Sequence, residues 1–331
     1  MSDSTAVILT YNRRDLLRKC LNAVFAQTCA PNFIVVVDNG SSDGTAEYLQ
    51  SIPDARLITV KLPDNVGAAG GFSRAFQAGC DTGADHIWVM DDDVVPEPNA
   101  LERLLDAGKK LKRAGEPWPF LLSTAYTPRG AITNVPDIDR SQIVDGYPQW
   151  ARFLEDGVMP VRRATFVSAL FDTSYIRLHG LPIADMYMWG EDSEYTLRLT
   201  RENSGYQVAA SRVTHLRAQP GALDIRTDLD PNRIRMHRIH TRNLIYTARK
   251  YHSRWVYLHT VLRILRSIRK LMAQGQVAKG WLLVRGLLQG LVFDPRIQRC
   301  EQRAASKGSQ ASPAVANEND HGVVLTASVG S

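Results

Sequence analysis

Short apolar runs alternate with amphipathic stretches through the first hundred residues. Four of these runs predict strands buried on both faces, at residues 6–10, 33–37, 56–60 and 86–90. Stretches with a single apolar face predict helices at residues 12–25, from about 45, and at 70–79. Continuous apolar strands separated by helices are typical of a parallel sheet covered on both sides. The pattern therefore predicts an α/β fold, with a mostly parallel, Rossmann-like sheet flanked by helices.

The pattern weakens after residue 115 and changes in character towards the C-terminus. A strand is predicted at 164–171, a helix at 192–201 and a strand ending at His215, and helical periodicity returns at 254–291. The last stretch is rich in Ser, Ala, Gly and Asn, which predicts disorder. We therefore expect one α/β domain over 1–225, in two halves at 1–100 and 101–225. A helical basic region would follow over 226–300, and a disordered tail over 301–331.

Composition is that of a globular protein, with 44% hydrophobic and 22% charged residues in a chain of 331. The four cysteines are widely spaced and fit neither a disulfide framework nor a zinc site, which favours a reducing, cytoplasmic compartment. The N-terminus does not resemble a signal peptide, and no uninterrupted apolar run is long enough to predict a membrane span.

The net charge of +6 is unevenly distributed, because basic residues recur from 226 to 303 among tryptophans and leucines. Such a mixture fits a nucleic acid or an anionic membrane surface. Acidic clusters elsewhere would repel phosphate, so we do not expect nucleic acid as a partner. An interfacial helix at the inner face of the plasma membrane is the favoured reading. A solvated helical appendage and a homo-oligomer contact remain the alternatives.

Polar side chains follow three of the predicted strands. Thr10, Asp38 and the triplet Asp91-Asp92-Asp93 each stand at a carboxyl end, the edge where ligands bind in open sheets of this kind. Three adjacent carboxylates raise one another's pKa unless a cation or donors compensate them. Carboxylates one residue apart can hold Mg²⁺ or Mn²⁺ together with a diphosphate. The alternative is a strand-end turn with solvated aspartates.

A second acidic cluster opens the helix predicted at 192–201. Glu191 and Asp192 follow Trp189 and Gly190, and a carboxylate there could take a proton from an incoming hydroxyl. Acids in a first helical turn also interact favourably with the helix dipole, which is the purely structural alternative. His215 could join two carboxylates as a Mn²⁺ ligand or could be a structural histidine.

A glycine-rich segment at residues 64–74 leads into another predicted helix. Helix N-termini offer free N–H groups to phosphate or sugar oxygens. The segment matches neither the P-loop nor the dinucleotide-binding fingerprint. Its glycines could also serve only close packing of helix on sheet.

These stretches, at residues 7–13, 36–45, 65–72 and 91–93, resemble the family-2 glycosyltransferases of the GT-A fold, over about residues 5–217. The resemblance implies that Asp38 contacts the nucleotide base and that the acidic triplet is the family's D-x-D motif. The donor-binding residues implied are Thr10, Asn12, Arg13, Asp38, Asn65, Gly70, Gly71, Asp91 and Asp92, and the metal ligands implied are Asp91, Asp93 and His215.

The segment W-G-E-D-S-E-Y from Trp189 is similar to that of bacterial galactofuranosyltransferases and rhamnosyltransferases. That similarity implies Asp192 as catalytic base with Glu191 beside it, and Trp189, Arg242 and Asn243 near the acceptor. The expected reaction is Mn²⁺- or Mg²⁺-dependent inverting transfer from UDP-galactofuranose to a glycan or lipid-linked acceptor of the cell envelope. dTDP-rhamnose and a UDP-hexose are alternative donors, and a metal-dependent sugar-nucleotide hydrolase or pyrophosphorylase is the rival class.

Overall fold

A computed structural model describes residues 3–216 and 223–301. Its strands are β1 Ser4–Thr10, β2 Phe33–Asp38, β3 Leu57–Lys61, β4 His86–Asp91, β5 Val94–Pro96, β6 Phe120–Tyr126, β7 Ile132–Thr133, β8 Asp137–Ile138, β9 Ile143–Val144, β10 Tyr147–Pro148, β11 Val158–Arg163, β12 Ala169–Asp172 and β13 Gly205–His215. Its helices are α1 Arg14–Phe25, α2 Thr45–Gln50, α3 Gly67–Asp81, α4 Ala100–Arg113, α5 Thr173–His179, α6 Glu191–Leu199, α7 Pro231–Tyr251, α8 Arg254–Ala273 and α9 Val277–Val292.

One large mixed sheet runs through the molecule in the order β3-β2-β1-β4-β12-β6-β13-β11-β8. Strands β1 to β4 are parallel to one another, and β12 then joins antiparallel to both β4 and β6. β13 runs parallel to β6, and its last residues pair antiparallel with β5. The predicted α/β sheet flanked by helices is confirmed, and every antiparallel pair includes a strand from β7 onward.

Side chains of the parallel strands feed two cores, one on each face of the sheet. Ala6 and Ile8 join the core under α1 and α4, whereas Val7 and Leu9 join the core under α3. Successive side chains of a strand point to opposite faces, so a strand buried on both faces must be apolar at every position. This requirement explains the continuous apolar runs of the sequence.

The structure corrects several predicted boundaries. The strand predicted at 164–171 is wrong, since only β12 forms there. Ser168 has a φ of 57° and its carbonyl accepts from the Ser123 amide, which interrupts a continuous strand.

The helix predicted at 12–25 begins at Arg14 because Asn12, with a φ of 51°, lies in a turn. The predicted helices at 70–79 and 192–201 are α3 and α6, and Gly275 separates α8 from α9 within 254–291. The predicted tail lies outside the described residues from 302 onward.

Helices α7, α8 and α9 pack on one another beyond the sheet. Gly286 and Gly290 of α9 allow a close approach to α7, because a Cβ at Gly286 would lie 2.7 Å from Thr241 Cβ and one at Gly290 2.6 Å from Ile245 Cβ. Helix α7 in turn contacts α6. No helix within the described parts of the chain has the length and apolar character needed to cross a membrane.

Candidate active site

The carboxyl ends of three parallel strands bring the predicted donor-side residues together. The register pairs Thr10 of β1 with Asp38 of β2 on one side, and Leu9 with Asp91 of β4 on the other. Thr10 and Asp38 are buried, and Asp91 is half-buried at the rim. The strand register alone therefore places a hydroxyl and two carboxylates at one edge of the sheet.

The crowded acidic triplet is held by a cation from α1. Thr10 Oγ1 donates a hydrogen bond of 2.8 Å to Asp92 Oδ2, and Arg13 Nη1 lies 3.3 Å from Asp92 Oδ1 and 3.2 Å from Asp93 Oδ2. The Arg13 guanidinium thus compensates two of the three charges. Both oxygens of Asp92 are engaged within the protein in this geometry, whereas Asp91 has no side-chain hydrogen bond among the described residues.

The three carboxyl groups titrate differently because their surroundings differ. Burial, followed by the charges of Asp93 and Asp92, raises the pKa of Asp91 well above its usual range. Burial raises the pKa of Asp92 to about 6, although Arg13 and Thr10 oppose the rise. Burial would also raise the pKa of Asp93, but contact with His215 and the charge of Arg13 bring it below the ordinary value. A site that disfavours several of its own charges is suited to bind a cation.

His215, at the end of β13, reaches the acidic triplet from the opposite direction. Its Nε2 lies 3.1 Å from Asp93 Oδ1, and its Nδ1 lies 2.8 Å from Asn134 Oδ1. An amide oxygen can only accept, so Nδ1 carries a proton and Nε2 is the nitrogen that faces the carboxylate. Asn134 was not predicted from the sequence, since it lies 81 positions away with no local motif.

The Asp93–His215 pair fits a divalent ion. Two ligands at about 2.1 Å from one ion and at right angles lie about 3 Å apart, close to the separation seen here. Within 3–216 and 223–301 no three His, Cys, Asp or Glu side chains are grouped as a complete metal site. Such incompleteness is compatible with Mg²⁺ or Mn²⁺, which commonly take the remaining ligands from substrate phosphates and water. Asp91 is a further carboxylate, close enough that, after burial, the charge of Asp93 raises its pKa.

Asp38, at the end of β2, has one engaged and one unpartnered carboxylate oxygen. Its Oδ1 accepts a hydrogen bond of 2.8 Å from the Ser41 amide, while the buried Oδ2 has no partner among the described protein atoms. Asn12 crosses to the same loop, where its Oδ1 accepts from the Ser42 amide at 2.8 Å. A buried carboxylate oxygen without a partner is an acceptor available to a ligand N–H.

The glycine-rich segment is tied to the sheet by two asparagines. Asn39 donates 3.1 Å hydrogen bonds to Asn65 Oδ1 and to the Gly67 carbonyl, and Asn65 Oδ1 also accepts from the Gly67 amide. Asn65 itself is exposed. Gly70 and Gly71 are buried in α3, and a Cβ at Gly71 would lie 2.6 Å from Leu9 Cδ1. Close packing therefore requires a glycine at position 71, and the donor contact of the two glycines stays a prediction.

The second acidic cluster lies at the first turn of α6. Asp192 is half-buried, and its Oδ1 accepts a 2.6 Å hydrogen bond from the Ser193 amide. Burial raises its pKa, although Ser193 and the charge of Arg163 oppose the rise. Burial and the neighbouring Asp192 raise the pKa of Glu191 to about 8. Asp192 is thus a carboxylate of increased basicity, a property that suits a general base.

The two acidic clusters are neighbours in space. Glu191 lies close enough to contribute, after burial and the aspartates of the triplet, to the raised pKa of Asp91. Among the described residues Asp192 has no hydrogen bond or ion pair with Asp93 or His215. Within the described chain, Glu191 is thus the residue of the second cluster whose charge reaches the triplet.

The loop before α6 is bent and is held from α7. Tyr187, Trp189 and Gly190 all have positive φ, at 62°, 61° and 111°. The buried Asn243 donates to the carbonyls of Met186, Met188 and Trp189 at 2.9, 3.2 and 3.0 Å. The positive φ angles of two non-glycine residues are strained, so an anchor of this kind is needed to maintain them.

Asn243 and Arg242 hold this loop in place. Arg242 donates to the Asp185 carbonyl at 2.7 Å, and its guanidinium stacks 4.0 Å from the centre of the Phe293 ring. Asn243 is fully buried and its amide protons are occupied. Both residues therefore position the loop, and their predicted acceptor contacts stay predictions. Trp189, half-buried against His237 with Arg233 over its ring, stays a predicted acceptor contact.

A buried ion pair within α6 links this helix to its neighbours. Glu194 accepts 3.1 and 2.9 Å hydrogen bonds from Arg198, and the Tyr251 hydroxyl donates to Glu194. Arg198 also donates to the carbonyl of His179 at 2.8 Å. The sequence W-G-E-D-S-E-Y does not reveal that Glu194 is structural, since Tyr251 lies on α7 and the His179 carbonyl, the other partner of Arg198, lies on α5.

A fold with these features is a GT-A glycosyltransferase fold. A crystal structure of GalNAc-T7 with UDP, GalNAc and Mn²⁺ superposes on 72% of this chain and 48% of that chain, with a TM-score of 0.54 and 15% identity. Residues 5–115 match the model of Glycosyl transferase family 2. The match covers the part of the chain that holds β1 to β4 and the acidic triplet.

Two curated relatives are informative. Galactofuranosyltransferase GlfT1 of Mycolicibacterium smegmatis is 26% identical over 198 residues, 59% of this chain and 65% of the relative. N-acetylglucosaminyl-diphospho-decaprenol L-rhamnosyltransferase of Mycobacterium tuberculosis is 30% identical over 131 residues, 37% of this chain and 42% of the relative. The chain thus aligns with less than two thirds of either relative.

Proposed function

We propose that this protein is a metal-dependent inverting glycosyltransferase that moves a sugar from a nucleotide diphosphate to a hydroxyl of a glycan or lipid-linked acceptor. The observation that carries the proposal is the convergence of the strand-end residues Thr10, Asp38 and Asp91 with the Asp93–His215 pair at one edge of the sheet. A half-buried carboxylate, Asp192, stands beyond them at a helix start.

The donor would lie along this edge. Asp38 offers its free oxygen to an N–H of the nucleotide base, and Asn12 shapes the loop that closes the base pocket. The exposed Arg13 and Asn65 stand beside the path of the diphosphate and sugar. Donors and acceptors fixed in advance by other hydrogen bonds orient a ligand without further ordering.

A divalent ion would be held by Asp93 and His215, with Asp91 beside them and donor phosphate oxygens completing the coordination. When bound, Mn²⁺ or Mg²⁺ supplies positive charge that neutralises the departing diphosphate. Arg13 adds a second, permanent positive charge next to Asp92 and Asp93. The residues present thus fit the cofactor that the resemblance implies.

Asp192 would take the proton of the acceptor hydroxyl as that oxygen attacks the sugar carbon. Attack from the face opposite the leaving diphosphate inverts the configuration in one displacement. Glu191, with its pKa raised to about 8, is protonated at neutral pH and leaves Asp192 as the ionised member of the pair. Arg163 lies near enough to Asp192 to oppose the rise of its pKa and so keeps it ionised.

The donor we favour is UDP-galactofuranose, supported by the alignment to galactofuranosyltransferases over 59% of the chain. dTDP-rhamnose is the second candidate, supported by the shorter alignment to the rhamnosyltransferase. Cell-envelope polysaccharide or glycolipid synthesis would be the setting. A hydrolase or pyrophosphorylase remains distinguishable, since it consumes the donor without an acceptor.

A thermal-shift panel tests this proposal. Purified protein with Mn²⁺ is melted against UDP, dTDP, UDP-galactofuranose and dTDP-rhamnose, and the preferred donor should raise the melting temperature most. A ligand at about 100 times its Kd adds about 2.7 kcal/mol of stability. Transfer to an acceptor glycan should then require metal and stop in excess EDTA. Full transfer in EDTA would refute the metal role, and donor cleavage without acceptor would favour the hydrolase.

A further inference from the structure

The C-terminal helices combine a strong excess of basic residues with many exposed apolar side chains. From 231 to 293 the chain has 13 Lys and Arg residues and no Asp or Glu, so the rest of the chain carries −7 although the whole carries +6. Of the 24 large hydrophobic side chains exposed among the described residues, ten lie on α8 and α9. Positive charge and exposed apolar area are thus concentrated in the same part of the molecule.

The exposed apolar residues of α8 form a stripe. Trp255, Leu258, Leu262 and Leu265 are 69%, 47%, 48% and 45% exposed, and at 100° per residue they fall within an arc of about 80°. The opposite face, with Thr260, Ile264 and Leu271, is buried against the rest of the protein. The stripe is therefore an outer surface that the fold leaves uncovered.

Basic side chains border this stripe. Arg266, Arg269 and Lys270 are exposed, and at the same helical spacing they fall within or just beside the arc of the leucines. Among the described residues none of the three forms an ion pair. A helix with an apolar outer stripe and unneutralised arginines beside it is typical of a helix that lies in a lipid interface.

Helix α9 has a second apolar outer stripe. Val277, Trp281, Leu288 and Val292 are 49%, 56%, 58% and 81% exposed and fall within an arc of about 60°. Its other face carries Gly280 and Gly286, which pack on α8 and α7. The glycine face of α9 is thus buried, and the face with the large apolar side chains is exposed.

We propose that the outer stripes of α8 and α9 form a docking surface for an anionic lipid bilayer. Charge complementarity selects this occupant, because a segment with 13 basic and no acidic residues is attracted to acidic headgroups. Trp255 and Trp281 would lie at headgroup level, where indole rings are favoured. The inference adds a partner to the proposed function and does not depend on the choice of donor.

Co-sedimentation of the full chain with vesicles tests the docking surface. Phosphatidylcholine vesicles are compared with vesicles that also contain phosphatidylglycerol, without nucleotide or acceptor. Binding should require phosphatidylglycerol and weaken at high salt. Replacing both Arg266 and Arg269 by Gln should weaken binding about 30-fold, whereas the matched pair Lys109→Gln and Lys110→Gln on α4 should change it less than about twofold.

The apolar stripe is tested by Leu262→Gln combined with Leu265→Gln. Binding should fall at least about 10-fold, whereas Leu178→Gln, at a still more exposed leucine of α5, should leave it unchanged. Unchanged circular dichroism and melting temperature establish that the variants fold. Equal binding to both vesicle types, or full binding by both double variants, would overturn the proposal. A dimer that the leucine variant converts to monomer, without vesicle binding, would assign the surface to a second copy.

This experiment separates the docking surface from the proposed function. Vesicle binding is measured without substrates, so its failure leaves transfer to a water-soluble acceptor unaffected. Conversely, a protein that binds vesicles but transfers no sugar would refute the function and not the surface. Intrinsic fluorescence gives a second readout, because Trp255 and Trp281 are the exposed tryptophans of the described chain and should shift to the blue on docking.

Discussion

The donor side and the acceptor side of this site are built in different ways. On the donor side, Thr10, Asp38 and Asp91 are placed by the register of adjacent parallel strands. On the acceptor side, Asp192 follows a bent loop that is held by Asn243, more than fifty positions along the chain. Placement by a sheet is rigid and locally determined, whereas placement by a distant anchor can be lost through a single substitution. The two sides should therefore respond differently to mutation.

Asp192→Asn should have the largest effect. The amide keeps the shape and can still accept from the Ser193 amide, but it cannot take a proton, so turnover should fall about 1,000-fold. Donor binding belongs to the other side of the site and should be retained. Steady-state transfer rates and the thermal shift with UDP measure the two properties separately.

Asp185→Asn is the matched control, since Asp185 is an exposed acid of the same region and contributes its backbone carbonyl to Arg242. Its turnover should stay within about twofold of wild type, because no proton transfer is assigned to it. Near-normal turnover in Asp192→Asn would remove Asp192 from the role of base.

Asn243→Ala should come next. The change leaves three backbone carbonyls without their donor, which should cost about 2 kcal/mol of stability and allow the Trp189 loop to relax. Because small displacements of a catalytic group are costly, kcat should fall about 100-fold. The Kd for UDP should change little, and that split is the signature of an acceptor-side anchor.

Asn232→Ala on the exposed first turn of α7 is the control for the loss of an asparagine side chain. It should leave kcat and stability near wild type. An equal loss of UDP affinity in Asn243→Ala would contradict the separation of the two sides, since it would mean that the anchor also supports the donor pocket.

The same difference decides what could be predicted from sequence. The parallel strands and their polar ends were predictable because apolar runs and the carboxylates that follow them are local patterns. The acidic triplet and His215 were predicted and lie together. Asn134, Asn243 and the Glu194–Arg198–Tyr251 cluster were not identified in these positioning roles, because each acts on a partner that only the tertiary fold brings near.

The limits of prediction have the same origin. Gly70 and Gly71 were expected at the donor from the family resemblance, yet Val66 approaches Gly70 and Leu9 approaches Gly71 so closely that both must be small. The strand predicted at 164–171 is interrupted where Ser168 bonds instead to Ser123 and to the Trp88 indole. In the strand, a contact across the sheet overrides the local pattern.

Asp38→Asn examines the donor side alone. The unpartnered Oδ2 would lose its charge and much of its strength as an acceptor, so UDP affinity should fall by about 2 kcal/mol, or about 30-fold. The kcat at saturating donor should change much less, the reverse of the result expected for Asn243→Ala. Calorimetric titration with UDP gives the affinity. Asp64 is an exposed acid near the same edge, so Asp64→Asn is the control and should bind UDP normally. Unchanged UDP affinity in Asp38→Asn would mean that the nucleotide base binds elsewhere.

Glu191→Gln should have the smallest effect and concerns both clusters, because Glu191 neighbours Asp192 and its charge also acts on Asp91. Burial and Asp192 raise the pKa of Glu191 from its ordinary 4.5 to about 8 in the folded protein. Between these two pKa values the folded state therefore binds more protons than the unfolded state. Stability should therefore fall as pH rises through this window, and glutamine, which does not ionise, should remove part of the fall. Urea unfolding at pH 5 and pH 9 should show the variant gaining about 1–2 kcal/mol relative to wild type at the higher pH. Glu47→Gln, at an exposed glutamate, is the control and should show no such gain. If Glu191→Gln kept the wild-type pH dependence, Glu191 would ionise normally and repel Asp192 at neutral pH.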